Sequence, residues 1–368
     1  MTFIEKPHMR DYFSATYSDA RGKFLSACLD ANTTVNSYQN PQRGPVGESL
    51  FTDTTWIGPT SAKHVVVVTS STHGVEGFAG SAIQVGLLRD SDAPKPNGDV
   101  ALLLVHAINP YGFAWLRREN EDSVDLNRNF VDHKNKDYPE NDLFEEIVDN
   151  LVPLEWNDTA YENYLKAIKS LNEIYGDVPV RKAMHKGQYK HPNSIHYGGT
   201  AATWSNTTLE SICRDYLNQS KRAVMIDIHT GLGPYGYGEL MTPSKPGEPV
   251  FDLFSDWYGE QVHSTTAGAS QYAGSKGSIL AGFQPLPESL EWAAIGLEYG
   301  TRERETMRKA MLANTWLHVH GKLDSNLGRQ IKQEVKDASY PDEDRWKSLV
   351  WERGKEVIGV ALQQFSQA

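Results

Sequence analysis

Residues 65–68 are valine at every position, with no polar residue between them. Strict alternation marks a strand with one wet face. A short unbroken apolar run bounded by turn residues marks a strand covered on both, as in a parallel sheet. Residues 100–108 and 223–228 have the same character, and 296–301 predicts a fourth strand. Residues 50–57, rich in threonine and aromatics, predict an edge strand stopped by Gly58-Pro59, and 239–241 a short strand. A second period, near 3.6, appears in Tyr17, Ala20, Phe24, Cys28 and Leu29 and predicts an amphipathic helix over 14–31. Helices are also predicted over 80–88, about 303–320 and about 343–366, the last carrying Trp346, Leu349, Val350, Val357, Ile358, Ala361 and Phe365. Pro41 with Gly44 to Gly47 predicts a turn region, 90–98 a surface loop, and glycines 231, 233, 236 and 238 a flexible loop.

The order strand, turn, helix, loop, strand points to a doubly wound, mixed, mostly parallel α/β sheet with helices on both faces. From about 132 to 222 the chain turns polar and charged. Helices are predicted there over 143–151, 161–175 and 207–217, with Ser205 or Asn206 as N-cap, and a loop over 185–204. This stretch lacks a strong apolar periodicity and reads as a helical insertion. A chain of 368 residues could hold two domains, but α/β domains reach this size singly. The expectation is one domain over 1–368: a core at about 50–130 and 222–320, the insertion, and a helical tail at about 321–368.

Composition narrows the class. Hydrophobic residues at 39% and charged residues at 23% provide for a sizeable core, and the net charge of −11 argues against nucleic acid and anionic membranes as partners. Cys28 and Cys213 read as small buried hydrophobes and not as a disulfide framework. Residues 1–7 have no secretory apolar core and no run approaches the ~20 residues of a membrane span, so the expected location is cytoplasmic.

Chemistry gathers at the strand ends. Beyond 65–68 comes Ser71-Thr72-His73-Gly74-Val75-Glu76-Gly77. A histidine and a glutamate three apart on a turn can both bind one divalent metal. Glycines 74 and 77 would give the turn its tight path. Asn127-Arg128, His229 and Glu298 stand at comparable places. Alone, each has a plainer reading: a hydrogen-bonded core histidine, a solvated glutamate, a salt-bridging arginine. Two histidines and two glutamates at the same kind of strand end outweigh it.

The succession His73-x-x-Glu76, Asn109-Pro-x-Gly112, Asp125-Leu-Asn-Arg-Asn-Phe130, Asp227-Ile-His229 and Leu297-Glu298 resembles the zinc carboxypeptidase family, whose superfamily includes the aspartoacylase and succinylglutamate desuccinylase group. The resemblance covers about 60–130 and 222–320, and implies a carboxypeptidase-like (phosphorylase/hydrolase-like) fold. It implies His73, Glu76 and His229 as ligands of one zinc per chain, with a fourth position open to water. Glu298 would be general base and acid. Asn127 and Arg128 would grip the substrate's free carboxylate, a group that a guanidinium fork suits. Arg118, or alternatively Arg117, would polarise the scissile carbonyl. Asp125 would orient the first ligating histidine.

The pattern departs from the family in places. The tyrosine expected some twenty residues before the catalytic glutamate is matched poorly by Tyr272, and its role stays unassigned. The side-chain pocket would be built from about 274–292, with Phe283, Leu286 and Trp292 and no countercharge, which predicts an apolar or broad preference. His196-Tyr197-Gly198-Gly199 reads as a plain turn in preference to a lining of the site entrance. His185, His191 and His196 lack convincing ligand spacing for a second metal.

The function implied is a zinc-dependent hydrolase cutting an amide next to a free carboxylate, foremost a metallocarboxypeptidase on short peptides. An N-acyl amino acid deacylase would use Asn127 and Arg128 in the same way. A non-catalytic binding module on the scaffold would be expected to have lost a ligand or the base, and His73, Glu76, His229 and Glu298 are all present.

Overall fold

The computed structural model describes residues 8–267, 275–285 and 287–367; Tyr272 and Leu286, both named above, lie outside the described residues. The strands are β1 (Val35–Arg43), β2 (Ser49–Ile57), β3 (His64–Ser70), β4 (Val100–His106), β5 (Arg222–Tyr235), β6 (Gly238–Thr242), β7 (Val262–Ser264) and β8 (Glu291–Gly300). They form one sheet in the order β1-β2-β4-β3-β5-β8-β6-β7. The middle four, β4-β3-β5-β8, run parallel, as do β6 and β7; β1, β2 and β6 join their inner neighbours antiparallel. The sheet is therefore mixed, with a parallel centre.

The valine run shows why alternation is missing. Val66 and Val68 pack with Phe24, Phe78, Ile83 and Trp351 on one side of the sheet. Val65 and Val67 pack with Leu209, Ile212 and Cys213 on the other. Helices Tyr17–Asp30, Gly77–Arg89 and Asp344–Ser366 make the first cover, and Trp204–Leu217 contributes to the second. Both faces of β3 are dry along Val65 to Val68, so all four of those positions are apolar. Cys28 and Cys213 are free and buried. Among the described residues no helix is long and apolar enough to cross a membrane.

Several expectations need correction. β2 is not at the edge, because β1 pairs outside it from Val35↔Thr55 onward. Pro41, expected in a turn, lies in β1, where the register breaks between Gln39 and Arg43. An edge strand tolerates proline because its outer N–H groups need no strand partner. The glycine-rich stretch after His229 is a bulged continuation of β5, shifted in register between Gly231 and Tyr235. Within the expected helical tail, a further helix, Asn326–Ser339, precedes the last one. Helix Asp177–Lys186, which ends inside the expected loop, was not foreseen.

The insertion differs more. Its expected 143–151 helix is a short Asp142–Glu145 helix followed by a 3-10 turn, and Thr203 caps the Trp204–Leu217 helix in place of Ser205 or Asn206. It also has an apolar cluster of its own, in which Phe144, Ile147, Tyr161, Tyr164, Val180 and Met184 close on Leu312 of the Arg304–Val319 helix. That cluster is spread over several short elements, so no single stretch displays it as a period.

Candidate metal centre and substrate cavity

β3 ends at Ser70, and Ser71 turns the chain with φ +66°. His73 begins one 3-10 turn, Gly74–Glu76, that runs into the Gly77–Arg89 helix. His73 Nδ1 and Glu76 Oε1 are thereby 2.9 Å apart. Gly74 is required for space: a Cβ there would stand 2.1 Å from the backbone of Gly112. The close approach lets the N–H groups of Gly74 and Val75 donate to the carbonyls of Arg118 and Arg117, at 3.1 and 2.9 Å. The turn is thus tied to the loop that carries both arginines.

β5 delivers His229. Side chains two apart on a strand share a face, and Asp227 Oδ2 lies 2.6 Å from His229 Nε2. The other Asp227 oxygen accepts the hydroxyls of Thr69 and Thr72 at 2.6 and 2.8 Å. Asp227 therefore keeps a proton on Nε2 and leaves Nδ1 to face the site. Nδ1 lies 3.2 Å from His73 Nδ1 and 3.1 Å from Glu76 Oε2.

The donor set fits a divalent metal. One ligand atom from each of His73, Glu76 and His229 lies within 4.8 Å of the others, and all three residues are buried. Two imidazole nitrogens and a carboxylate aimed at one point require a cation or protons between them. Burial opposes a charge on His229, yet Asp227 and Glu76 hold its pKa well above the ordinary imidazole value. Burial would likewise push Glu76 up, but His73 and His229 bring it far below the carboxylate range. A metal preferring nitrogen and oxygen would satisfy the three atoms and release the protons.

Asp125 joins three parts of the site. It lies 3.3 Å from His73 Nε2 but out of line for a hydrogen bond. It accepts from Arg118 Nε at 3.1 Å and stands 3.1 Å from His196 Nδ1. Its carboxyl stays well below the usual range although burial works the other way, because Arg118, Arg128 and His73 surround it. Arg118 also reaches Glu76 at 3.5 Å and lines the cavity. Arg117 does not line it: the side chain pairs with Glu119 at 3.1 Å and donates to Asn120 O. Asn127 Oδ1 accepts from Ile279 N at 2.9 Å, which leaves its amide nitrogen without a partner among the described residues. Arg128 donates to the carbonyls of Asn127 and His185, both at 2.6 Å, while its buried Nε has no partner.

Glu298 stands across from His229 in the β5–β8 register. Its Oε1 accepts from Leu232 N at 3.0 Å. Burial first, and the charge of Glu76 next, push its pKa up to about 7. The metal triad, Arg118, Asn127, Arg128 and Glu298 line one cavity of about 350 Å³.

Some wall residues differ from expectation. Of the predicted side-chain pocket, Ser275, Ser278 and Leu280 line the cavity, whereas Phe283 and Trp292 pack against each other in the core beneath it. The 196–199 segment is not a plain turn. His196 is buried, holds φ +55° and lines the cavity, and Gly198 O accepts from Asn129 Nδ2 at 2.8 Å. Asp227 has no role in the sequence reading, although its i, i+2 relation to His229 is a signal that could have assigned one. His196 had no such signal, because the contact with Asp125 spans 71 residues of chain and has no local period.

The chain belongs to the family described as "Protein of unknown function (DUF2817)", whose model matches residues 13–353. A search of curated proteins found no match. Among solved structures, carboxypeptidase A from Helicoverpa armigera is 13% identical, with 89% of this chain and 75% of that one covered and a TM-score of 0.46. Bovine thrombin-activatable fibrinolysis inhibitor is 11% identical, with 94% and 100% covered and a TM-score of 0.44. Succinylglutamate desuccinylase from Chromobacterium violaceum is 14% identical, with 87% and 74% covered and a TM-score of 0.36. Likenesses of this size say nothing about activity.

Proposed function

We propose that the protein is a zinc hydrolase that cuts an amide bond beside a free carboxylate, acting as a carboxypeptidase on short peptides. The carrying observation is the convergence of the His73, Glu76 and His229 ligand atoms within 4.8 Å, on the same cavity as Glu298, Arg118, Asn127 and Arg128. In this reading His73, Glu76 and His229 hold the ion, and Asp227 and Asp125 orient the two imidazoles. A zinc ion there would supply Lewis acidity and lower the pKa of a water towards ~7.

The chain's own groups do the rest. Glu298, poised near neutrality by burial, takes a proton from the attacking water and returns it to the leaving amine. Arg118, braced by Asp125, donates to the oxygen on which charge develops. Arg128 and the free amide of Asn127 bind the carboxylate, and the unpartnered Nε of Arg128 is a donor awaiting it.

Metal analysis of protein purified without chelator should find about one zinc per chain; a fully active metal-free preparation refutes the reading. Free peptides, the same peptides amidated at the C-terminus, and N-acyl amino acids then form the assay set. Cleavage of free peptides alone is the expected result. Cleavage of N-acyl amino acids alone would make the protein a deacylase with the same machinery. Equal cleavage of amidated peptides would remove the carboxylate requirement.

A further inference from the structure

His196 takes no part in the chemistry above, yet its placement is over-determined. Its carbonyl accepts from Gln188 N at 3.1 Å, and the carbonyl of Tyr197 accepts from Asp125 N at 2.8 Å. These bonds hold His196 at φ +55°, a left-handed conformation that few residues with a Cβ adopt and that the surrounding structure must enforce. The side chain is 4% exposed, and it lines the cavity.

The tautomer of the ring follows from its partner. Asp125 is buried and ionised, and its Oδ2 stands 3.1 Å from His196 Nδ1. An ionised carboxylate can only accept, so Nδ1 carries the hydrogen. Burial first, opposed by Asp125 and reinforced by Arg118 and Arg128, brings the imidazole pKa down to about 4, so the ring is neutral at ordinary pH. Nε2 is then an open lone pair. It has no hydrogen-bond partner among the described residues. Asp125, which takes the Nδ1 edge, does not line the cavity, so the Nε2 edge is the one turned to it.

The groups around this acceptor are donors. Asp125 Oδ2 also takes Arg118 Nε at 3.1 Å, so the two side chains meet at one oxygen. The His185 ring lies 5.6 Å from that of His196, and the His185 carbonyl takes Arg128 at 2.6 Å. In the hydrolase reading Arg118 faces the scissile carbonyl and Arg128 the terminal carboxylate. In an α-amino acid those two groups are joined through one nitrogen and one carbon, and the nitrogen carries the only polar hydrogen between them. Resting on that reading, we propose that His196 is a further catalytic residue, whose Nε2 accepts a hydrogen bond from the N–H of the scissile amide. The bond orients the nitrogen for the proton that Glu298 returns. It also favours amides over esters, which lack that hydrogen.

The test compares a short peptide with a free C-terminus and its isostere in which oxygen replaces the scissile N–H. The readout is the amide-to-ester ratio of kcat/KM. His196→Asn suits a left-handed backbone and offers Asp125 an N–H, but has no group at the place of Nε2. The ratio should fall in it by about three- to tenfold, the scale of one neutral hydrogen bond. His196→Gln, whose amide oxygen reaches further, should regain part of the ratio. Disturbance of the metal, Arg118 or Arg128 slows both substrates alike and leaves the ratio where it was. A ratio unmoved in His196→Asn therefore overturns the proposal. Should that variant not hold zinc, His196→Phe, which keeps the ring, is read in the same way. If wild type cleaves neither substrate, the hydrolase reading falls, and calorimetric binding of the same pair decides this one. Tighter binding of the amide that is lost in His196→Asn keeps the hydrogen bond, and equal binding of the two by wild type overturns it.

Discussion

The cavity has two walls of different construction. One is the set of strand ends, where β3, β5 and β8 bring His73, Glu76, His229 and Glu298 together. Strand register and the two-residue alternation set His229 and Glu298, and each of these two is held by a further group, Asp227 on His229 and Leu232 N–H on Glu298. The other wall is the insertion, which packs through its own apolar cluster and is pinned to the first mainly by side chains. Asn129 is one of several residues that join the two sides, with Arg128 on His185 O and Asp125 beside His196. The Asn129 amide nitrogen donates to Gly198 O and Ala201 O, and its oxygen accepts from Thr203. A backbone lattice gives sub-ångström placement of reacting atoms. A pinned insertion gives a surface whose residues can change without disturbing that placement. Chemistry on the first wall and selection on the second follow from this division.

The sharpest way to break the division is Glu298→Gln. The variant should keep its metal and lose at least ~10²-fold in turnover, the usual size of a proton-transfer contribution. Near-normal turnover would remove Glu298 from that role. Next is Asp227→Asn, which replaces the acceptor on His229 with an amide. Competition with a chelator should show metal affinity weaker by about 10- to 100-fold. Unchanged affinity would mean that Asp227 does not set the histidine. Arg128→Ala should raise KM for free-carboxylate substrates by about tenfold or more, the scale of a charge-assisted hydrogen bond. KM for amidated analogues should stay put, and an unmoved KM for the acids would place the carboxylate elsewhere.

Two smaller effects concern stability. In metal-free protein Glu298 has a folded pKa of about 7 against an ordinary 4.5. A raised carboxyl pKa means that the folded state holds the proton longer than the unfolded one. Its contribution is therefore neutral to folding below about pH 4.5 and turns unfavourable as pH rises to about 7. Stripped Glu298→Gln should thus gain on wild type by on the order of 3 kcal/mol at pH 8 and gain nothing at pH 4, read by denaturant unfolding. Absence of this pH contrast would mean that Glu298 is solvated. Asn129→Ala should cost about 1–3 kcal/mol through the groups left unpaired. Hydrogen exchange should quicken at 198–203, with zinc content unchanged. Loss of zinc in that variant would show that the two walls are not separable.

The fold was legible where physics is local. The apolar runs at 65–68, 100–108 and 223–228 correspond to β3, β4 and β5, and the period of Trp346 to Phe365 to the last helix. β1 was not legible because only three of its nine residues, Val35, Tyr38 and the polar Asn40, are even partly buried, and a proline interrupts it. The insertion's cluster was hidden for a related reason, since each of its short helices supplies only a few buried residues. For the site, His73, Glu76, Asn127, Arg128, His229 and Glu298 were readable from strand ends and motif spacing. The sequence put Arg118 ahead of Arg117 but left the alternative open, and the different contacts of the two side chains appear only in the fold. Adjacent residues with identical chemistry differ only in which one meets Asp125 and which one meets Glu119.

The sequence by itself determined the parallel centre of the sheet and the residues capable of metal and acid–base chemistry, because burial on both faces and strand-end position leave marks on consecutive residues. The tertiary structure decided that His73 Nδ1 and His229 Nδ1, 156 residues apart, meet at 3.2 Å, and that His196 and the Arg304–Val319 helix complete the cavity. Those contacts arise from the packing of distant elements, and packing leaves no period in the chain that forms it.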